Sequence, residues 1–364
     1  MKFYIRYNAQ EGKVTETINT QFDGYFFGAP NLEYFKAAAS QLVLSTKKSF
    51  VIDPHTFHLV DEKRSHEKYV SKLSIENLDD VPKRKEDRLN FVNKFVGFQE
   101  NEINETLSED PIEDITERFT PEFLIPPYKF IDDCSSDTLA QNVQFILDVK
   151  ELRPTSKAYA PIFITKDILI ESDSIKRICD AYANPNVDGF CIAVDDFDAY
   201  TISLEYLVGF KNFVTELTKI GKPIWSLHAS FFELLLKDRK LDAIVHGVDT
   251  GDRLKIASGG FGKRQFFRYY VPPLKKRFSP TEIDYLKKNA PELMNCDCGY
   301  CNKENLSRND LMSHYIICRS REVNQFNKEF DHLGTLKETF KKYSEPLKYV
   351  INLGYIERWI KAVE

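Results

Sequence analysis

The sequence predicts an α/β fold: a (β/α)8 barrel of the TIM type with an inserted helical region and a C-terminal zinc-binding subdomain. Three observations predict it. Near-continuous apolar strands alternate with amphipathic helices, the pattern of a parallel sheet covered by helices. Counted from the N-terminus there are about eight such strands, as a barrel requires, with a doubly wound sheet as the other arrangement. No glycine-rich G-x-G-x-x-G follows the first strand, which weakens a dinucleotide-binding doubly wound sheet.

Taken in order, residues 2–7 (KFYIRY) read as the first strand and 22–28 as a second apolar stretch with turn glycines. Residues 31–44 carry apolar side chains at helical spacing, with Asn31 placed as a cap. Residues 49–53 (SFVID) are a short buried-type strand that stops at Asp53-Pro54. Residues 59–125 are rich in Lys, Glu, Asp and Asn, with helical patches such as 88–98. They read as a solvated helical insertion, or as a lid or partner-binding excursion. From Pro126 the pattern is regular. Strands are expected at 126–131, 160–165, 187–194, 223–229 and 241–248. Helices are expected at 137–149, 171–182, 201–220 and 230–239, the last with Ser230 and Glu233 in capping-box spacing. Residues 279–288 and 333–364 read as helical. The barrel is assigned to 1–290 and the zinc-binding and helical subdomain to 291–364.

The composition supports a chain with a large core. Hydrophobic residues are 42% of 364 and aromatics 13%, with 28 Phe and 18 Tyr. The net charge of −5 gives no global basic signature for nucleic acid. No apolar run approaches the ~20 residues of a membrane helix, and the opening MKFYIRYN has no apolar leader segment. A soluble, cytoplasmic protein with no membrane partner is expected.

The cysteines point to a metal. Four of the seven fall between 296 and 318, with one of the seven histidines. Cys296, Cys298 and Cys301 form C-x-C-x2-C, and His314 follows on an expected helix that Ser307 can start. Three thiolates and an imidazole make the closed tetrahedral set that structural zinc prefers. Cys318, one helical turn beyond His314, is a rival fourth ligand. A disulfide cluster is the bland alternative, disfavoured in a cytosolic chain. A closed site supports a fold and runs no reaction, so the chemistry is sought elsewhere.

In a barrel, function sits at the C-terminal ends of the strands. There the sequence places Asp53, Asp132, Asp133, Asp195, Asp196, Asp249 and Asp252, with His228 ending PIWSLHA. Two carboxylates on one pocket can divide the cleavage of a glycosidic bond into nucleophile and general acid/base. A single Asp after a strand is more often a turn former. The stretch 251–277 adds eight Lys/Arg interleaved with Phe and Tyr. It reads as a nucleic-acid contact or as a solvated loop.

The stretch CDCGYC…LSRNDLMSHYIICRSREVNQF after such a barrel resembles the zinc region of the tRNA-guanine transglycosylase superfamily, and the similarity runs from about residue 49 to 326. That superfamily exchanges guanine for a 7-deazaguanine in tRNA, with relatives in phages and bacteria that do so in DNA. The family's D-S-G-G-F-Q matches Asp53-Pro54-His55-Thr56-Phe57-His58, keeping the Asp and the Phe. The resemblance implies that Asp53 is the acid/base and that Phe57 and His58 lie against the base. The family's G-x-D-x-x-D matches residues 247–252. Spacing makes Asp252 the nucleophile, whereas position directly off the strand makes it Asp249. The family's base-reading Asp matches Asp132 or Asp133. Asp195 stands where the family's G-G-L-A-V-G-E loop begins, and His228 completes the substrate-binding set. Lys263, Arg264, Arg268, Lys275, Lys276 and Arg277 would meet phosphates. The implied chemistry is exchange in DNA, with tRNA as the alternative, of guanine for a 7-deazaguanine such as preQ0 or a derivative, by a pentosyltransferase. A homodimer or modification-complex partner, or a non-catalytic subunit of the superfamily, completes the expectations.

Overall fold

The computed structural model describes residues 1–8, 12–56, 68–74, 81–108, 118–183, 186–236, 241–248, 254, 268–301, 305–328 and 330–364. Seven strands form one sheet: β1 (Lys2–Arg6), β2 (Gly24–Gly28), β3 (Ser49–Asp53), β4 (Tyr159–Thr165), β5 (Gly189–Asp195), β6 (Ile224–Leu227) and β7 (Leu241–Gly247). Their order is β3-β2-β1-β7-β6-β5-β4, and every pairing is parallel. Two short strands, β8 (Tyr269–Val271) and β9 (Lys276–Phe278), make a separate antiparallel hairpin.

Both faces of the sheet are apolar, as a parallel sheet requires. The concave face gathers Tyr4, Phe26, Val51, Phe163, Ala193, Trp225 and Val245 into one buried cluster. The edges are linked by a segment that is not a regular strand. Glu122 N–H donates to Phe50 O of β3, while Leu124 and Ile131 exchange backbone bonds with residues at and before β4. Of the strand expected at 126–131, only the bridge at Ile131 forms. Pro126 and Pro127 lack the N–H groups a ladder needs.

Helices cover the outer face. They are α1 (Gly12–Thr17), α2 (Ala29–Tyr34), α3 (Lys36–Thr46), α4 (Lys68–Leu73), α5 (Lys85–Ser108), α6 (Ser136–Leu152), α7 (Ser172–Tyr182), α8 (Leu204–Thr218), α9 (Pro280–Asn289), α10 (Arg308–Asn327), α11 (His332–Leu347) and α12 (Gly354–Val363). Neighbours around the sheet run α10, α1, α3, α5, α6, α7, α8, α12. Among the described residues no helix is long and apolar enough to cross a membrane.

Three local expectations are corrected. The helix at 31–44 is two helices broken at Phe35 (φ −127°), and it starts from Gly28 with Pro30 in the first turn, without a side-chain bond from Asn31. The charged stretch 59–125 is not a solvated insertion in its described part. α5 buries Phe91, Val92, Phe95, Val96, Ile103 and Leu107 and packs on α3, α6 and β3. Most of its Lys and Glu residues form the outer face of an amphipathic covering helix, while Glu102 is buried and paired with Lys72 of α4. In its described part, 230–236, the helix expected at 230–239 is a single 3₁₀ turn, Phe232–Leu235, with 237–239 outside the described residues, and Glu233 does accept from the Ser230 N–H and hydroxyl. α10 lies on β1, and α12 lies on α8.

Candidate active site and metal centre

Side chains alternate faces along a strand. One step beyond Tyr4, Val51, Phe163 and Ala193, the concave register reaches Arg6, Asp53, Thr165 and Asp195 at the C-terminal strand ends. Pairing aligns these ends: Arg6 with Gly247, Gly28 with Asp53, and Thr165 with Asp195. A polar layer therefore lies directly on an apolar plug.

Asp53 is its centre, 1% exposed. Its Oδ1 accepts the Tyr128 hydroxyl at 2.9 Å and the His55 N–H at 2.9 Å, and its Oδ2 lies 3.2 Å from His55 Nε2. Burial pushes the carboxyl up, but the charge and hydrogen bonds of His55, with the Arg6 guanidinium, outweigh it and hold Asp53 below the usual carboxylate value. Burial and the Asp53 charge push the Tyr128 phenol well above its ordinary value, so it stays a donor. Arg6 donates from Nη1 to the His228 ring (2.7 Å to Nδ1), and its Nη2 lies 3.2 Å from His55 Nε2. Burial pulls Arg6 down from its usual range, and Asp53 opposes that.

Four residues at or just beyond these strand ends adopt left-handed backbone without being glycine: His55 (φ 50°), Cys134 (φ 33°), Asp196 (φ 55°) and His228 (φ 58°). Such strain costs about 1–3 kcal/mol at each residue and concentrates at functional sites.

Of the residues expected from sequence, Asp53 and His228 are brought together, through Arg6. Asp195 lies half-buried on the same rim, and its neighbour Asp196 pairs with Lys166 at 3.1 Å. Asp132 and Asp133 are exposed, and Asp133 accepts the Ser135 N–H ahead of α6, the ordinary work of a turn aspartate. Phe57, His58, Asp249, Asp252, Lys263 and Arg264 lie outside the described residues. Arg268 is exposed. Lys275, Lys276 and Arg277 make contacts within the protein. Lys275 is 8% exposed and paired with Glu322 at 3.0 Å. Lys276 lies over the Tyr355 ring at 5.1 Å, and Arg277 lies over Tyr315 at 3.9 Å while donating to Gly247 O. Arg6, His55 and Tyr128 were missed. For Arg6 the signal was present: a charge two residues beyond inward Tyr4 at a strand's C-terminal end.

The candidate metal centre is assembled by a turn and a helix. Cys296, Cys298, Cys301 and His314 place their ligand atoms within 4.8 Å of one another, a set that can hold a metal ion. Gly299 takes φ 82° inside the turn, a conformation that favours glycine. Ser307 caps α10 through a capping box with Asp310 and so starts the helix that carries His314. His314 Nε2 contacts the Tyr270 carbonyl of β8 at 2.6 Å, which directs Nδ1 toward the thiols at 3.0–3.6 Å. Tyr269 stacks on the same imidazole and donates to Cys301 Sγ at 3.2 Å. Cys318 Sγ lies 3.8 Å from Cys296 Sγ, next to the set but outside it. All seven cysteines are free thiols.

No family model matches the chain, and no curated protein matches it. A solved structure similar to it is a psychrophilic glycoside hydrolase family 10 endo-β-1,4-xylanase, at 10% identity and a TM-score of 0.41, covering 68% of this chain and 86% of that one.

Proposed function

We propose that the chain is a nucleic-acid guanine transglycosylase that exchanges guanine for a 7-deazaguanine base in DNA. The observation that carries this reading is Asp53. It is a buried, ionised carboxylate at the C-terminal end of β3, at the position where the resemblance puts the acid/base residue. The Cys296, Cys298, Cys301 and His314 set at the superfamily's spacing supports it.

In this reading the target nucleotide leaves its stack and enters the strand-end site. An aspartate after β7, Asp249 or Asp252, attacks C1′ of the deoxyribose, and guanine leaves with the N-glycosidic electron pair. The incoming base then attacks C1′ and releases the carboxylate. One N9 proton is removed from the incoming base and one is delivered to the departing guanine, so the exchange is proton-neutral. An ionised Asp53 is the form that accepts the first of these.

The sheet is closed into a (β/α)8 barrel, with residues 122–131 in the fourth strand position. Its support is their backbone bonding to β3 on one side and toward β4 on the other. The metal is structural zinc, supported by three thiols and an oriented imidazole with no place left for substrate.

The test is incubation of the protein with radiolabelled guanine and either duplex DNA or tRNA. Label in DNA alone supports the reading. Label in tRNA alone moves the activity to the tRNA branch. No label in either, from folded and metal-replete protein, overturns both.

A further inference from the structure

One nitrogen at the strand ends has two incompatible neighbours. His55 Nε2 lies 3.2 Å from Asp53 Oδ2 and 3.2 Å from Arg6 Nη2. A carboxylate only accepts and a guanidinium only donates. The nitrogen must therefore carry a proton to bond Asp53 and must lack one to accept from Arg6. It can do either, and not both at once.

The ring is held at this branch by construction. His55 is 7% exposed and sits in left-handed backbone at φ 50°. Gly28, paired with Asp53 across β2 and β3, leaves it room: a Cβ there would stand 2.8 Å from His55 Cε1. The ionisable groups facing the pair come from separate elements: Arg6 on β1, Tyr128 on the 122–131 segment, His228 after β6 through Arg6, Tyr69 on α4 and Cys191 on β5. Tyr69 and Cys191 are pushed well up by burial and by Asp53, so neither serves as a proton store near neutral pH.

We propose that His55 is a positioning residue that forms an acid/base dyad with Asp53, passing one proton between Nε2 and Oδ2. When the proton moves to Oδ2, Asp53 becomes the neutral acid that can protonate a departing base. The vacated Nε2 lone pair then accepts from Arg6 Nη2. The proton that Asp53 gives to the departing guanine is replaced by the N9 proton of the incoming base, which the restored carboxylate accepts and passes back to Nε2, so atoms and charge balance over one exchange. The kinetic part of this proposal rests on the transglycosylase reading; the proton partnership does not.

The experiment titrates the Asp53 carboxyl by carbon-13 NMR in the full chain, its resonance identified by its loss in Asp53→Asn. Wild type is compared with His55→Gln and with Gly28→Ala, which displaces the ring and adds no ionisable group. The expected result is an Asp53 midpoint raised by about one pH unit or more in both variants. In the exchange assay the acidic limb of the rate profile should rise with it. In His55→Gln, kcat should fall about 30-fold or more while KM for the base changes less than about twofold. An unchanged Asp53 midpoint in either folded variant overturns the dyad. If wild type shows no exchange, the transglycosylase reading fails, and the titration still decides the dyad.

Discussion

Removing the Asp53 carboxylate leaves the Arg6 guanidinium largely buried with no anion beside it. Asp53→Ala should therefore abolish base exchange and also cost on the order of 3 kcal/mol of stability, the usual penalty for stranding a buried partner. Asp53→Asn, which keeps the shape and accepts from Tyr128, should abolish exchange at a smaller cost. Urea midpoints of the two variants, measured beside their activities, check this. Retained turnover in a folded Asp53→Asn protein removes the residue from the mechanism. A second residue-scale prediction concerns His332. It is 4% exposed between Phe231 and Phe330, near Lys275 and Arg319. Burial and Lys275 pull its pKa down to about 4. Its folded value lies below its unfolded value, so the unfolded chain binds the extra proton between about pH 6.5 and 4. Stability from the neutral ring is present above about pH 6.5 and is lost as the pH falls toward 4, by up to about 3 kcal/mol. His332→Phe should flatten the dependence of the urea midpoint on pH in that window. An unchanged slope contradicts the assignment.

At the scale of elements, α10 links the metal turn to the sheet. It carries His314 toward the thiols, and its Arg319, fully buried, donates to Glu322 at 2.8 Å while Lys275 and the Tyr270 hydroxyl bind the same carboxylate. Burial pushes Glu322 up, and the two cations outweigh it and hold it ionised. Chelation of the metal should lower the melting temperature and loosen α10. Cys301→Ser should abolish stoichiometric metal binding, whereas Cys318→Ser should retain it, read by metal content after dialysis. Metal loss in Cys318→Ser would put that thiol among the ligands. Ser307→Ala removes the cap and should cost about 1 kcal/mol. Much of this was legible in the sequence. Ser307 as helix start, the Cys spacing and His314 on the following helix all follow from short-range rules. The outer helix α5 was less legible, because its buried apolar residues are interleaved with charged and amide side chains, two of which, Gln99 and Glu102, are themselves buried. Residues 126–131 do not form the regular strand expected of them, because apolar content says buried and says nothing of backbone bonding. Within the site, Asp53 was legible from a strand running into Pro54. His55 and Tyr128 were not, since their role depends on contacts across β2, β3 and a segment more than seventy residues away.

Across the whole molecule, the C-terminal helices complete the covering layer around the sheet. Trp359 is fully buried and donates to Ala199 O at 2.8 Å, fastening α12 to the loop after β5. Trp359→Ala should cost about 3–5 kcal/mol and disturb the rim near Asp195 as well as the terminus, visible as a joint loss of Tm and activity. The described end of the basic-aromatic stretch is tied into the fold. Lys275, Lys276 and Arg277 fasten the β8–β9 hairpin between the sheet and the C-terminal helices, so their loss should lower stability more than nucleic-acid affinity. The proposed function is base exchange at the strand ends. Its most direct test is transfer of radiolabelled guanine into duplex DNA by wild-type and Asp53→Asn protein, each folded and metal-replete. Wild type should place label in DNA, and Asp53→Asn should place none. Absence of label from both DNA and tRNA with the wild-type protein would contradict the proposed function.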